Sequence, residues 1–298
     1  MKIFITGARG YIGGSVAARL VAAGHSVRGL IRNPSHAEEL RSFGIAPVIG
    51  TLDDSALLVA EAAGADAVVN AANSDHRGAV EAILAVLAGS GKPFVHTSGS
   101  SIVSDEALGE PSDKVFTEKT TITPVPDRAA RIAIDTLIRE AAPGIRSVVL
   151  CNAMIYGEAV GPQSRSVQLA ALVDQARESG VARHIGRGLN RWSNVHIADV
   201  ADLYLLALER ASAGSFYFVE NGEETFKAIT DAIGEALEIG PSQDWDLTEA
   251  VARWGRGLAV ISLSSNSRVR ANKARAELGW SPRHDSITRY ILRDMPRR

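Results

Sequence analysis

The chain is poor in cysteine, with Cys151 alone among 298 residues. That excludes an intrachain disulfide and a cysteine-rich metal site; no metal is expected, and a cytoplasmic compartment fits. Cys151 itself reads as a buried strand residue rather than a reactive thiol. Long apolar runs are missing as well. None approaches the ~18 residues that a membrane span requires, so no membrane partner is expected. Met1 leads straight into a short apolar strand, and no cleavable signal segment is expected. Neither sign of charge dominates: 32 Lys and Arg face 34 Asp and Glu. Their scatter along the chain argues against a nucleic-acid surface. Internal repeats and low-complexity segments are absent. Nothing here chooses between a monomer and a homodimer.

What the chain does have is an ordered beginning. Ile3, Phe4 and Ile5 run apolar without alternation, as in a parallel strand covered on both faces. Gly7, Gly10 and Gly13 follow at three-residue spacing, and an apolar helix, Tyr11–Ala23, opens among them. Gly7 permits a tight turn, Gly10 lets backbone approach a pyrophosphate, and Gly13 lets the helix pack on the strand. Tyr11 and Ile12 stand at the helix start. A second strand, His25–Ile31, follows at the distance a βαβ unit requires. Strand and helix then alternate: a strand ending in Val48-Ile49, helix Ser55–Ala63, strand Ala67–Asn70, helix His76–Leu87 and strand Pro93–His96. This alternation predicts a Rossmann-type α/β fold, a doubly wound parallel sheet.

The loop Thr6-Gly7-Ala8-Arg9-Gly10-Tyr11-Ile12-Gly13 resembles the cofactor loop of the extended short-chain dehydrogenase/reductases, the group of NAD(P)-dependent epimerases and dehydratases. The resemblance continues at Val195-His196-Ile197-Ala198-Asp199-Val200-Ala201 and at Leu278-Gly279-Trp280-Ser281-Pro282, so it spans nearly the whole chain. It implies a dinucleotide-binding domain made of residues 1–157 and about 193–222. A smaller, interleaved C-terminal α/β lobe, 158–192 and 223–298, would hold the substrate. Asp199 is expected to order the loop and the start of helix Val200–Glu209, and His196 to be structural; Glu223–Leu237 reads as a further helix.

Cofactor choice is read at the end of the second strand. An NAD site usually carries an acid there, for the ribose 2′-hydroxyl. This chain carries Arg32, which suits a 2′-phosphate, with Arg9 as a second cation at the adenosine end. NADP(H) is therefore favoured over NAD(H). By the resemblance, Leu52 and Asp53 lie beside the adenine, although Asp53 reads equally well as a helix N-cap. Ala71 and Ala72 are the small pair that lets backbone approach the cofactor, and Thr97, Arg131 and Met154 complete its expected contacts.

The catalytic pattern of the family is broken. Its members pair Tyr-x-x-x-Lys one helical turn apart, the tyrosine donating the proton. None of Tyr11, Tyr156, Tyr204, Tyr217 and Tyr290 has a lysine four residues on. In the matching stretch, Thr123 to Arg131, Asp127 takes the tyrosine slot and Arg131 the lysine slot. Asp127 and Arg131 share a helix face and read as a salt bridge, with Arg131 able to hold the nicotinamide ribose. An arginine beside Asp127 keeps it ionised, which favours a structural or orienting role over proton donation. The family's substrate hydroxyl falls on Gly99, so the hydroxyls of Ser98 or Ser100, with Tyr156 or water, are expected to polarise the substrate. Arg191 and Trp192, a planar cation and an aromatic plate, are expected to touch it. The expected function is NADP(H)-dependent oxidoreduction of a small carbonyl or alcohol with a non-standard proton donor. Two alternatives stay open: a non-catalytic NADP(H) sensor or regulator, and a nucleotide-sugar epimerase or dehydratase.

Overall fold

The computed structural model describes residues 1–123, 126–162 and 165–297. Pro124 and Val125, within the stretch matched to the family's catalytic helix, lie outside the described residues. Strands β1 (Lys2–Thr6), β2 (Ser26–Ile31), β3 (Ile45–Ile49), β4 (Ala67–Asn70), β5 (Pro93–Gly99) and β6 (Arg146–Asn152) alternate with five helices. These are α1 (Tyr11–Ala22), α2 (Ala37–Ser42), α3 (Ser55–Gly64), α4 (Arg77–Leu87) and α5 (Pro126–Glu140). The chain continues through β7 (Met154–Tyr156), α6 (Gln168–Ser179), β8 (Arg183–Ile185), β9 (Arg191–His196), α7 (Ile197–Arg210) and β10 (Ser215–Val219). It ends with β11 (Glu223–Thr225), α8 (Phe226–Ala236), β12 (Gln243–Trp245), α9 (Leu247–Arg256), α10 (Asn272–Leu278) and α11 (Ile287–Arg293).

Seven strands form one parallel sheet in the order β10-β6-β5-β4-β1-β2-β3. The order reverses between β1 and β4, so their carboxyl ends flank the crevice where such sheets bind ligands. The expected doubly wound α/β fold is the one observed. Both sheet faces are buried, which is why β1, β4 and β6 read as continuous apolar runs. Ile3, Ile5, Val95 and Leu150 face α1 and α7; Phe4, Val68, Phe94 and Val149 face α3, α4 and α5. A second core gathers Leu172, Ile185, Trp192, Phe226, Ile233 and Ile291 around β7 and β9.

Three local expectations need correction. Asp54, not Asp53, caps α3 by accepting from the Leu57 amide at 3.1 Å; Asp53 instead meets His76 Nε2 at 3.0 Å. Residues 223–225, read as the start of a helix, pair antiparallel with β9, and the helix begins only at Phe226, behind the Thr225 cap. The third concerns Asp199. His196 caps α7, while the buried Asp199 carboxylate accepts from the amides of Arg283 and His284 and from His284 Nδ1, each at 3.0 Å. Asp199 thus straps the C-terminal segment to α7, and Trp280 Nε1 adds a bond to its carbonyl. The α10 helix stops at Gly279 in the left-handed region, as a C-cap glycine should.

Asp199→Ala leaves three part-buried donors, the Arg283 and His284 amides and His284 Nδ1, without this partner. Unfolding free energy from urea denaturation is expected to fall by ~1–3 kcal/mol; an unchanged unfolding free energy would show that the strap is held elsewhere.

Candidate active site

The turn after β1 is built for close approach. Gly7 has φ +70°, and a Cβ there would stand 2.8 Å from the Ala71 carbonyl oxygen. A Cβ on Gly13 would overlap the Gly7 carbonyl, so α1 can pack on the turn only with glycine there. Gly10 is the N-cap of α1, yet no side chain caps the helix and no acid lies in its first turn. The free first-turn amides, around Ile12 and Gly13, therefore suit an anionic group. Tyr11 anchors the far side, its hydroxyl donating to the Gly157 carbonyl at 2.6 Å.

At the adenosine end the two arginines differ. Arg9 is paired with Glu39 at 2.7 Å. Arg32 is exposed and makes no ion pair among the described residues. Leu52 packs on the α3 side of the sheet.

At the opposite end, Arg131 does not pair with Asp127. Its Nε and Nη2 clasp the Asp75 carboxylate at 2.8 and 2.5 Å, and Nη1 donates to Ser101 Oγ at 3.2 Å. This bidentate pair holds the Asp75 carboxyl below the usual carboxylate range. Asp127 points outward, half exposed, 3.8 Å from Arg256. Arg131 Nη1 also stands 3.5 Å from where a Gly99 side chain would begin, so the guanidinium fills the space beside the family's hydroxyl position.

Beneath this surface runs a buried polar chain. The Thr6 hydroxyl accepts from the Ala71 and Ala72 amides at 3.2 and 3.3 Å, which leaves it to donate to Asn70 Oδ1 at 2.5 Å. Asn70 Nδ2 must then donate to His96 Nδ1, at 3.1 Å. His96 is thereby a neutral imidazole with its proton on Nε2, which faces Asp135 Oδ1 at 3.8 Å. Burial, reinforced by Arg131, lowers the His96 pKa to about 3. Ser98 Oγ donates to Asp135 Oδ2 at 2.6 Å. Burial raises the Asp135 carboxyl to about 7, against the opposing pull of Ser98 and Arg131.

Several residues assigned from the sequence are turned away from this surface. Ser100 Oγ is buried against Ser267 Oγ at 2.9 Å, and Thr97 Oγ1 accepts from the Tyr204 hydroxyl at 2.8 Å. Tyr156 lies wholly buried, its hydroxyl donating to the His284 carbonyl at 3.2 Å. Met154 sits in the second core beside it. Trp192 is buried too, with Nε1 bonded to the Ser265 carbonyl at 2.9 Å; it is a core anchor rather than a substrate plate. Arg191 stays partly exposed, 3.6 Å from Glu223. Ser100, Thr97, Tyr156 and Trp192 are each held by a partner distant in sequence instead. Asp75, His96 and Asp135 escaped notice. An acid between Ile134 and Ile138 on a buried helix face was the available signal for Asp135.

Residues 3–219 match the NAD dependent epimerase/dehydratase family. The chain belongs to that family. Among its relatives are an oxidase, ucsJ, of an Acremonium species, 32% identical over 94% of this chain and 92% of its own. Another is the 4-hydroxy-2-methyl-3-oxo-4-farnesyl-3,4-dihydroquinoline-1-oxide ketoreductase of Stigmatella aurantiaca, 28% identical over 95% and 92%. The fold is that of a dTDP-glucose 4,6-dehydratase from Bacillus anthracis solved in complex with NAD. That structure superposes with a TM-score of 0.77 at 16% identity, covering 98% of this chain and 94% of the other. As an epimerase/dehydratase family member, the protein has the frame for NAD(P)-dependent redox or sugar-modifying chemistry.

His96 and Asp135 oppose one another in acid. Unfolded histidine binds a proton below about 6.5 and buried His96 only below about 3, so acid erodes this part of stability. Asp135 has the reverse sign: its native proton is bound below about 7 and its unfolded one below 3.8, so its contribution is lost as pH rises. Between pH ~4 and ~6.5 the two nearly cancel. In Asp135→Asn the unfolding free energy should therefore fall with acid more steeply, by about 1.4 kcal/mol per pH unit. Parallel wild-type and variant curves from urea melts across that range would contradict the assignment.

Proposed function

We propose that the protein is an NADP(H)-dependent oxidoreductase that reduces a small carbonyl, or oxidises the matching alcohol, with a proton source other than the family's tyrosine. The observation that carries this reading is the uncapped start of α1 beside Gly7, with the unpaired Arg32 at the end of the neighbouring strand. The first-turn amides would hold the pyrophosphate, and Arg32 the 2′-phosphate. Ala71 and Ala72 leave room for the cofactor's approach. Arg131, clamped by Asp75, would meet the nicotinamide ribose and the substrate oxygen. A bound nicotinamide supplies or accepts the hydride.

Arg131 stays charged at any physiological pH, its pKa raised by the bond to Asp75. It can polarise an oxygen, but it cannot give up a proton. Relatives named for ketone reduction, including a 2-alkyl-3-oxoalkanoate reductase of Stenotrophomonas maltophilia, support a carbonyl substrate over a nucleotide sugar. Residues 158–192 and 223–298 would form the substrate lobe, Arg191 its surface contact. We read the protein as a cytoplasmic monomer or homodimer with a small-molecule substrate. Among the described residues, no helix is long and apolar enough to cross a membrane.

Cofactor titration tests the reading. A charge-assisted bond contributes about 1.5–3 kcal/mol, so Arg32→Ala should weaken NADPH by roughly ten- to a hundredfold and NADH far less. Equal affinity of the wild type for both cofactors would remove Arg32 from the site. Asp127, exposed and away from Arg131, should be dispensable. With an active carbonyl substrate, Asp127→Asn should keep at least about a tenth of kcat, whereas loss of a general acid costs 10²–10⁴-fold.

A further inference from the structure

A cavity of about 830 Å³ opens at the sheet edge between α5 and α10. Ile102, Ile132, Phe216 and Phe218 wall it, and the exposed Lys119 and Glu277 stand at its rim. Asp135 is the buried acid among its polar lining residues. The residue is 4% exposed, and its two oxygens look in different directions. Oδ2 takes the hydrogen bond from Ser98, while Oδ1 has no hydrogen-bond partner and faces His96 Nε2. Ser98 in turn immediately precedes Gly99, the residue beside which Arg131 and Ser101 meet. One buried carboxyl therefore touches both a solvent-open cavity and the strand end that carries the candidate site.

We propose that Asp135 and Ser98 form a proton relay between this cavity and the Gly99–Ser101 turn; the proposal rests on the oxidoreductase reading above. The direction of one hydrogen bond is the switch. With Asp135 ionised, the Ser98 hydroxyl donates to it and has no hydrogen for a substrate. With Asp135 protonated, its O–H donates to Ser98 Oγ and frees the serine hydrogen to turn outward. In a reduction the substrate oxygen takes that hydrogen as a proton, while its carbonyl carbon takes hydride from a reduced nicotinamide. The C=O π bond is replaced by C–H and O–H bonds, the carbonyl is reduced and the nicotinamide oxidised. Ser98 recovers a proton from Asp135, and Asp135 recovers one from water through the cavity. Alcohol oxidation runs the same steps backward. Asp135 acts through Ser98, and so is a positioning and proton-holding residue.

The charged and titratable groups around Asp135 support a proton held near neutrality. On its own helix, Arg131 is engaged by Asp75, and Arg139 is a weaker influence one turn away. From β5, His96 is neutral; from β6, Cys151 is held as a thiol by burial. Glu118, Lys119, Lys273 and Glu277 line the cavity further out, with both signs represented. Burial is then the largest influence, and it favours the neutral acid, at about 7.

Infrared spectroscopy of the cofactor-free protein gives the first test. A buried carboxylic-acid band should disappear with a midpoint near pH 7, be missing from Asp135→Asn, and move to higher pH in Ser98→Ala, which loses a donor to the carboxylate. Calorimetry in buffers of different ionisation enthalpy gives the second. At pH 7, binding NADP⁺, with its cationic ring, should release up to about half a proton more than binding NADPH. Asp135→Asn should abolish that difference, and Ser98→Ala should retain it at higher pH. A carboxylate already ionised at pH 6, or equal proton counts for the two cofactors, overturns the relay alone. Failure of the wild type to bind either cofactor overturns the oxidoreductase reading, and the relay with it.

Discussion

The Thr6 hydroxyl sets the order of the buried polar groups beneath the candidate site. It lies where β1 and β4 part, one residue before the glycine turn, and two backbone amides from the Ala71-Ala72 turn point at it. Because both of its acceptor positions are engaged, its hydrogen has to go to Asn70. That choice orients the Asn70 amide, the amide fixes the histidine tautomer, and the tautomer fixes what Asp135 faces. A single hydroxyl at the end of β1 thus decides the direction of the bonds as far as His96 on β5, two strands away. In a water-free interior such chains have few alternatives, since an unpaired polar group costs ~1–3 kcal/mol.

Charge around the carboxyl end of β5 is arranged in two layers. The upper layer is the Arg131–Asp75 clasp, partly open to water and permanently ionised. The lower layer, Asp135 with Ser98, is shielded and holds its carboxyl near neutrality. Where the resemblance implies a tyrosine and a lysine on one helix face, this chain carries charged groups on successive turns of α5. A fixed cation sits at Arg131, and a titrating acid one turn further along α5. Arg128, also buried, bonds the Ser101 carbonyl and the Ser104 hydroxyl, and so braces the turn on which the upper layer rests.

The second lobe is held by bonds that reach across long stretches of chain. Trp192 and Asn190 bind carbonyls near Ser265, and Asp199 binds the amides of 283 and 284. The stacked rings of His196 and His284, 3.9 Å apart, close the same joint. Burial and the neighbouring imidazole lower the His196 pKa to about 4, so the stack is not split by charge near neutrality. Side chains that look exposed and functional in a motif are drawn into this joint because the lobe must satisfy its own backbone.

Much of this was legible from local chemistry alone. The glycine loop, the strand–helix alternation, the Gly279 stop and the missing Tyr-x-x-x-Lys pair are all written within a few residues, where sterics and periodicity act directly. Those features determined the fold and, through Arg32, the expectation for the cofactor. Arg131 taking Asp75 over Asp127, Ser98 taking Asp135, and Trp192 turning to Ser265 span 56, 37 and 73 residues. Only the tertiary structure could decide them. A side chain's hydrogen-bond partner and its protonation depend on what folding brings beside it and on how far water is excluded, and neither quantity is encoded at its own position.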